Sequence, residues 1–290
     1  MDLDSIIRSF AKGVSNQIID EAHSKEKILV RYVCPVYCEL EQQRLSHIGS
    51  AVLIRIADLR LLATAAHVLD HQVQGTLCIP GNHGLIPINA QFPSTRIPAG
   101  KTRDDDKIDI GICRLDEQTV NSILSHSFLS TDDIIPDDKP AFAKLYSFVG
   151  YPNTKNKVRY SVKPAPYSFL NTPLSIDLYA QYGLERASHI AIKYERKKTI
   201  TASRKPTTFP DPHGLSGGGL WVWEILDGPK AGNPEVSPKL VGVATGYTRD
   251  KRAWFATKIG LFLECARALF PDLDQAIPKP STTRVNVTLN

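Results

Sequence analysis

The spacing of apolar residues in this 290-residue chain changes near residue 27, and that change limits the folds open to it. Before it, Leu3, Ile6, Ile7, Phe10, Val14, Ile18 and Ile19 recur at three-, four- and seven-residue intervals, which predicts an amphipathic helix over residues 3–22. After it come short apolar runs separated by turn-rich or polar stretches, the pattern of strands. Six are expected in the first part: Lys27–Cys34, His47–Ile56, Leu59–Thr64, Gly75–Ile79, Leu85–Gln91 and Asp109–Leu115. A second six follow: Ala143–Val149, Lys157–Lys163, His189–Tyr194, Gly218–Ile225, Lys239–Gly246 and Trp254–Thr257. Two such sets without an obvious sequence repeat predict an all-β protein of two six-stranded antiparallel β-barrels, with N-terminal and C-terminal helices. The expected organisation is a helical extension (1–26), a first barrel (27–129), a polar linker (130–140), a second barrel (141–258), a terminal helix (259–270) stopped before Pro271, and a loosely held tail (271–290).

Two shorter segments carry their own signals. Asp116–Ser125 reads as a short helix. Pro164–Ala187 reads as an insertion in the second barrel. Thr172 and Pro173 look like a helix start and Gly183 like its stop, and the helix would carry Leu174, Ile176, Leu178, Tyr179 and Tyr182. Such an insertion either walls a substrate cleft or packs far from any chemistry.

Composition removes several function classes. No apolar run approaches the roughly 20 residues of a membrane span. The start, Met-Asp-Leu-Asp-Ser-Ile-Ile-Arg, lacks a basic region followed by an apolar core, so no signal peptide is expected. Five cysteines (Cys34, Cys38, Cys78, Cys113 and Cys265) make an odd set without a secretion signal, which argues against a disulfide framework and for a reducing cytoplasm. Cys34 and Cys38 have no second pair to complete a zinc site. The net charge is only +5, and the densest basic stretch, Lys193–Lys205, lacks interleaved aromatic residues for base stacking. It reads as a solvated loop and not as a nucleic-acid site.

Three segments bear chemistry. Ala63-Thr64-Ala65-Ala66-His67 ends an apolar run, Asp109-Ile110-Gly111-Ile112 opens another, and Gly214-Leu215-Ser216-Gly217-Gly218-Gly219 sets a serine among glycines. A serine hydroxyl becomes a nucleophile when a histidine can take its proton and an acid can orient that histidine. Each part has a plain alternative: a core histidine, an acid capping a strand, a flexible loop. His67 and His71 lie four apart, the spacing of two metal ligands on a helix, but the glutamate of the zinc-peptidase motif is missing. No metal and no cofactor is expected.

Order and context together resemble the trypsin-like, chymotrypsin-fold serine peptidases over about residues 27–270. Gly49-Ser50-Ala51, Phe148-Val149-Gly150-Tyr151-Pro152 and Leu240-Val241-Gly242-Val243-Ala244-Thr245 match further segments of that family. The intervals from His67 to Asp109 (109 − 67 = 42) and from Asp109 to Ser216 (216 − 109 = 107) suit it as well. The resemblance implies an endopeptidase with Ser216 as nucleophile, His67 as base and Asp109 orienting it. It implies an oxyanion hole from the N–H groups of Gly214 and Ser216. Pro210, Asp211, Ala244, Thr245 and Gly246 would line the substrate cleft, with a neutral or apolar preference favoured over a basic one. Leu215 departs from the family, since digestive members carry there the aspartate that receives a new N-terminus on zymogen cleavage. An intracellular member would be narrow in specificity or gated by a partner protein, as in bacterial stress or antiviral pathways. The competing function is a catalytically silent protein-binding module on the same fold.

Overall fold

The computed structural model describes residues 19–21, 24–41, 44–123, 126–139, 144–154, 164–194, 199–200, 206–207, 211–225, 236–248, 250, 252–273, 275–277 and 288–289. Most of the predicted N-terminal helix, the strand expected over Lys157–Lys163, Pro210 and most of the basic stretch lie outside them.

The chain is mostly β, in two antiparallel sheets, one of them curled into a half-barrel. The first contains β1 (Val33–Leu40), β2 (Arg44–Ile56), β3 (Leu59–Ala65), β4 (Thr76–Gly81), β5 (Gly84–Pro87) and β6 (Ile110–Arg114), in the order β5-β4-β1-β2-β3-β6. A short β7 (Leu129–Ser130) joins β2 in parallel. The second sheet contains β8 (Leu145–Gly150), β9 (Tyr167–Asn171), β10 (His189–Lys193), β13 (Gly219–Ile225), β14 (Val236–Tyr247) and β15 (Ala253–Lys258), in the order β10-β15-β14-β13-β8-β9. A small ribbon pairs β11 (Thr199–Ile200) with β12 (Pro206–Thr207).

Side-chain alternation explains why these runs are apolar on both faces. In β2, Val52, Ile54 and Ile56 enter a core shared between the sheets, while Ala51 and Leu53 enter a core private to the first sheet. In β13, Trp221 and Trp223 join the shared core, and Leu220 and Val222 join a core private to the second sheet. Each fully buried tryptophan withdraws about 150–250 Å² from water, or about 4–6 kcal/mol at about 25 cal/mol/Å². The helix Ile259–Leu269 adds Ile259, Phe262 and Leu263 to the shared core.

Several expectations change. The first strand begins at Val33, not Lys27, because residues 24–30 are helical, with Lys27 and Ile28 both exposed beside buried Leu29, which breaks strand alternation. The strand expected over Leu85–Gln91 is only Gly84–Pro87. Tyr167–Asn171, read as part of an insertion, is a full strand paired with β8. The helix expected after Pro173 is two 3₁₀ turns, Ile176–Leu178 and Ala180–Tyr182, stopped as anticipated at Gly183 (φ +67°). They pack Tyr179 and Leu184 on Ala191 and Ala253. The short helix is Glu117–Ser122, capped by Asp116 through the Thr119 N–H (2.7 Å). The linker is partly packed, since Ile134 is buried and bridges to Leu240. The tail returns as well: Thr288 and Leu289 pair with Arg96 and Thr95.

Candidate active site

His67 sits in a single helical turn, Ala66–Leu69, that directly continues β3. Asp109 precedes β6, the neighbour of β3, so strand pairing brings the two residues together. Asp109 Oδ2 accepts from His67 Nδ1–H at 2.6 Å, and its Oδ1 accepts from the His67 backbone N–H at 3.0 Å. One carboxylate thus fixes both the ring and the main chain beneath it. Asp109 does this from a left-handed conformation (φ +49°), unusual for a non-glycine residue though tolerated by aspartate.

That conformation is braced from all sides. The Asp109 carbonyl accepts from Ala66 N–H (3.0 Å), and its N–H donates to Asp106 Oδ1 (3.0 Å). Arg103 grips Asp70, just beyond the His67 turn, through Nε (2.7 Å) and Nη2 (3.0 Å), and grips Asp106 through Nη1 (2.7 Å). The second sheet adds two ties: His189 Nε2–H to the Lys107 carbonyl (2.7 Å) and Thr257 Oγ1–H to the Ile108 carbonyl (2.7 Å). Burial pushes the Asp109 carboxyl above its ordinary range, against the two His67 donors. Burial alone would lower His67, but the hydrogen bond and charge of Asp109, with Asp70 beyond, outweigh it and hold the imidazole above 6.5.

Ser216 stands in a loop pinned to the first sheet by Ser50. The Ser50 hydroxyl donates to the Gly214 carbonyl (2.9 Å) and accepts from Tyr151 N–H (2.9 Å), and Ser50 N–H donates to the Ser216 carbonyl (2.7 Å). Gly217 (φ +86°) passes so close that a Cβ would lie 1.8 Å from the Ser50 carbonyl oxygen. Gly49 is pressed between the two halves: a Cβ there would meet Val68 Cγ2 at 2.6 Å and the Ser216 carbonyl oxygen at 3.1 Å. Val68 follows His67, so a single glycine backbone separates the histidine's turn from the serine's loop. No hydrogen bond joins His67 Nε2 to the half-buried Ser216 hydroxyl.

The N–H groups of the loop sort themselves. His213 N–H donates to Asp211 Oδ1 (3.2 Å), Leu215 N–H to the Pro212 carbonyl (3.2 Å), Gly217 N–H to the Ala244 carbonyl (2.7 Å) and Gly218 N–H to the Leu215 carbonyl (2.9 Å). Gly214 and Ser216 N–H have no acceptor among the described residues. Their peptide planes are nonetheless fixed, because the carbonyls of the same planes are held: His213 O by Asn153 N–H (2.7 Å) and Leu215 O by Gly218 N–H. In trans peptides N–H and C=O point in opposite directions, so both free donors are aimed and neither is spent. Two preorganised donors beside a serine are the arrangement a developing oxyanion needs.

No family model matches this chain, and no curated protein matches it. Solved structures with likeness to it are distant. One, from work on how aromatic interactions drive the coupled folding and binding of the intrinsically disordered Sesbania mosaic virus VPg protein, is 11% identical with a TM-score of 0.41, covering 79% of this chain and 92% of that one. Another, the atomic-resolution structure of HBP, is 14% identical with a TM-score of 0.49, covering 87% of this chain and 95% of that one.

Pro210 lies outside the described residues. Asp211 faces its own loop, with Oδ1 3.6 Å from His213 Nε2. Ala244 commits both backbone groups to the serine loop, donating to the Gly218 carbonyl and accepting from Gly217 N–H, both at 2.7 Å. Thr245 is left out of register at a bulge between Ala244 and Gly246, its hydroxyl 3.3 Å from that of Thr257. Gly246 lies over the Phe255 ring. His71 pairs with Gln74 (3.2 Å). All five cysteines are free and buried, and desolvation raises Cys34 to about 12. Sequence reasoning passed over Asn153, Arg103 and Asp106, and took Ser50 only as part of the segment Gly49-Ser50-Ala51, not as a support of the serine loop. Ser50 carried a signal of its own, a small polar residue directly before the apolar run Ala51–Ile54.

Proposed function

We propose that this chain is a serine endopeptidase of the trypsin-like kind, its two sheets corresponding to that family's two barrels. The observation that carries the reading is the pairing of His67 with Asp109 across one glycine from a serine loop whose Gly214 and Ser216 N–H groups are aimed and unspent. In the proposed reaction Ser216 Oγ attacks the carbonyl carbon of an extended protein substrate and its proton passes to His67 Nε2. The carbonyl π electrons move to oxygen, where the Gly214 and Ser216 N–H groups receive the charge. His67, held in its tautomer by Asp109, returns the proton to the leaving amine, whose C–N bond breaks. Water, deprotonated by His67, then releases the acyl group and restores Ser216. The base-to-nucleophile contact forms on substrate arrival, as such contacts do in sites that tighten when occupied. No cofactor enters this scheme. The physiological setting belonging to it is a cytoplasmic enzyme of narrow specificity, gated by a protein partner.

The unmade His67–Ser216 hydrogen bond favours one other reading, a peptidase-fold module that binds peptides without cutting them. A fluorophosphonate probe separates the two. The peptidase reading expects labelling of the native chain that disappears in Ser216→Ala, and absence of labelling under every activating condition, native protein partners included, overturns it.

A further inference from the structure

The proposed oxyanion hole depends on the orientation of the His213–Gly214 peptide, and glycine at position 214 (φ +89°) gives that peptide little resistance to rotation. What holds it is Asn153, just beyond β8. Its N–H donates to the His213 carbonyl at 2.7 Å, and its side chain packs so tightly on Gly214 that a Cβ there would lie 2.1 Å from Asn153 Oδ1. Asn153 is held in turn by His47 of β2, whose Nδ1 lies 2.5 Å from Asn153 Oδ1. That distance to an amide oxygen places the ring proton on Nδ1. His47 is 6% exposed, stands edge-on to Tyr37 with ring centroids 5.2 Å apart, and keeps Nε2 buried without a hydrogen-bond partner. The ring also touches the loop itself: a Cβ on Gly214 would lie 2.8 Å from His47 Cε1. A buried imidazole with one nitrogen unsatisfied is costly as core filling. Its hydrogen bond to Asn153, the residue gripping the Gly214 peptide, supplies a reason for it to be there.

We propose that His47 and Asn153 form a latch between the two sheets that locks the His213–Gly214 peptide with its N–H free for the oxyanion. They are positioning residues, acting through Gly214 and not on substrate. The role in catalysis rests on the peptidase reading above; the control of peptide orientation does not. Losing the latch frees the peptide to turn over, which replaces an N–H donor with a carbonyl at the site of developing charge. Complete loss of one such donor lowers turnover by about 10²–10³-fold. Partial release is expected to lower it by about 10- to 100-fold.

The test uses the full chain and four variants: His47→Ala, His47→Asn, Asn153→Ala and the His47→Ala/Asn153→Ala double variant. Saturation kinetics of fluorophosphonate labelling at Ser216 separate the maximal labelling rate from probe affinity. The latch predicts that the maximal rate falls about 10- to 100-fold in both alanine variants with affinity unchanged. It predicts no further fall in the double variant, since coupled residues are not additive. His47→Asn, which places an N–H donor where Nδ1 stood, is expected to restore the rate to within about threefold. Crystal structures of the native chain and Asn153→Ala supply the second readout, with the His213 carbonyl expected to leave its native direction in the variant. Native labelling rates in folded Asn153→Ala, or a lowered rate with the peptide unmoved, overturn the latch. If the native chain does not label under any activating condition, the peptidase reading falls, and the crystal comparison alone decides whether the latch sets the peptide.

Discussion

Replacing Ser50 by alanine removes one oxygen and breaks two hydrogen bonds between different parts of the chain. Ser50 is fully buried in β2, donates to the Gly214 carbonyl and accepts from Tyr151 N–H, each at 2.9 Å. Both partners are main-chain groups of the second half, so Ser50→Ala strands a buried donor and a buried acceptor together. Each stranded group costs about 1–3 kcal/mol, about 2–6 kcal/mol for the pair. In a chain of this size 1 kcal/mol lowers Tm by about 2 °C, which gives an expected drop of about 4–12 °C by calorimetry or circular dichroism. Tyr151→Phe is the internal comparison. It strands only the Val33 carbonyl, which accepts from the phenol at 3.2 Å, at about 1–3 kcal/mol, and its drop should be about half as large. Amide exchange localises the effect, with Tyr151 N–H losing protection in Ser50→Ala more than amides within β3. Melting within 1 °C of the native chain (about 0.5 kcal/mol) would show that water or a neighbouring group takes over both contacts and that Ser50 is not the pin described.

Two further outcomes follow from the His67–Asp109 pair. Asparagine at position 109 can offer its single oxygen to only one of the two His67 N–H groups, and its NH₂ then faces the other. In Asp109→Asn the backbone N–H keeps the oxygen and the NH₂ faces Nδ1, which drives the ring to the wrong tautomer, and Ser216 labelling is expected to fall by about 10⁴-fold with the fold intact; a loss under tenfold contradicts the assigned role. Because His67 is held above 6.5, labelling should rise with pH along a limb whose midpoint exceeds 6.5, while stability runs the other way. The raised value means that the pair's contribution is complete below 6.5 and lost as pH rises through the folded-state value. The melting difference between the native chain and His67→Ala should therefore shrink from pH 5 to pH 9, and a growing difference refutes the assignment.

Strand content was legible because burial on both faces writes continuous apolar runs, as in Ala51–Ile54 and Leu61–Ala63. Strand limits were less so. Pro35 sits inside β1 and disguises it, and the helical residues 24–30 carry Ile28 and Leu29 side by side, as a strand would. Tyr167–Asn171 mixes polar and aromatic residues at a sheet edge, where only one face meets a core. Within the candidate site, residue types singled out His67, Asp109 and Ser216, and pairing of β3 with β6 brings the first two into contact. The supports stayed hidden because their meaning lies in distance and not in kind. Nothing near Asn153 in the chain signals His47, 106 residues away, and nothing in Asp109 signals its left-handed backbone.

The ties from His189 to Lys107, from Thr257 to Ile108 and from Ser50 to Gly214 all run from one half of the chain to the other. A recombination event that moved only the first half into another gene would carry off the histidine and its acid but leave behind two of the bonds that steady the acid's loop. One that moved only the second half would take the serine loop without the hydroxyl that anchors it. These residues can therefore change hosts only as a single inherited block, and lineages descending from such a chain should keep or lose them together.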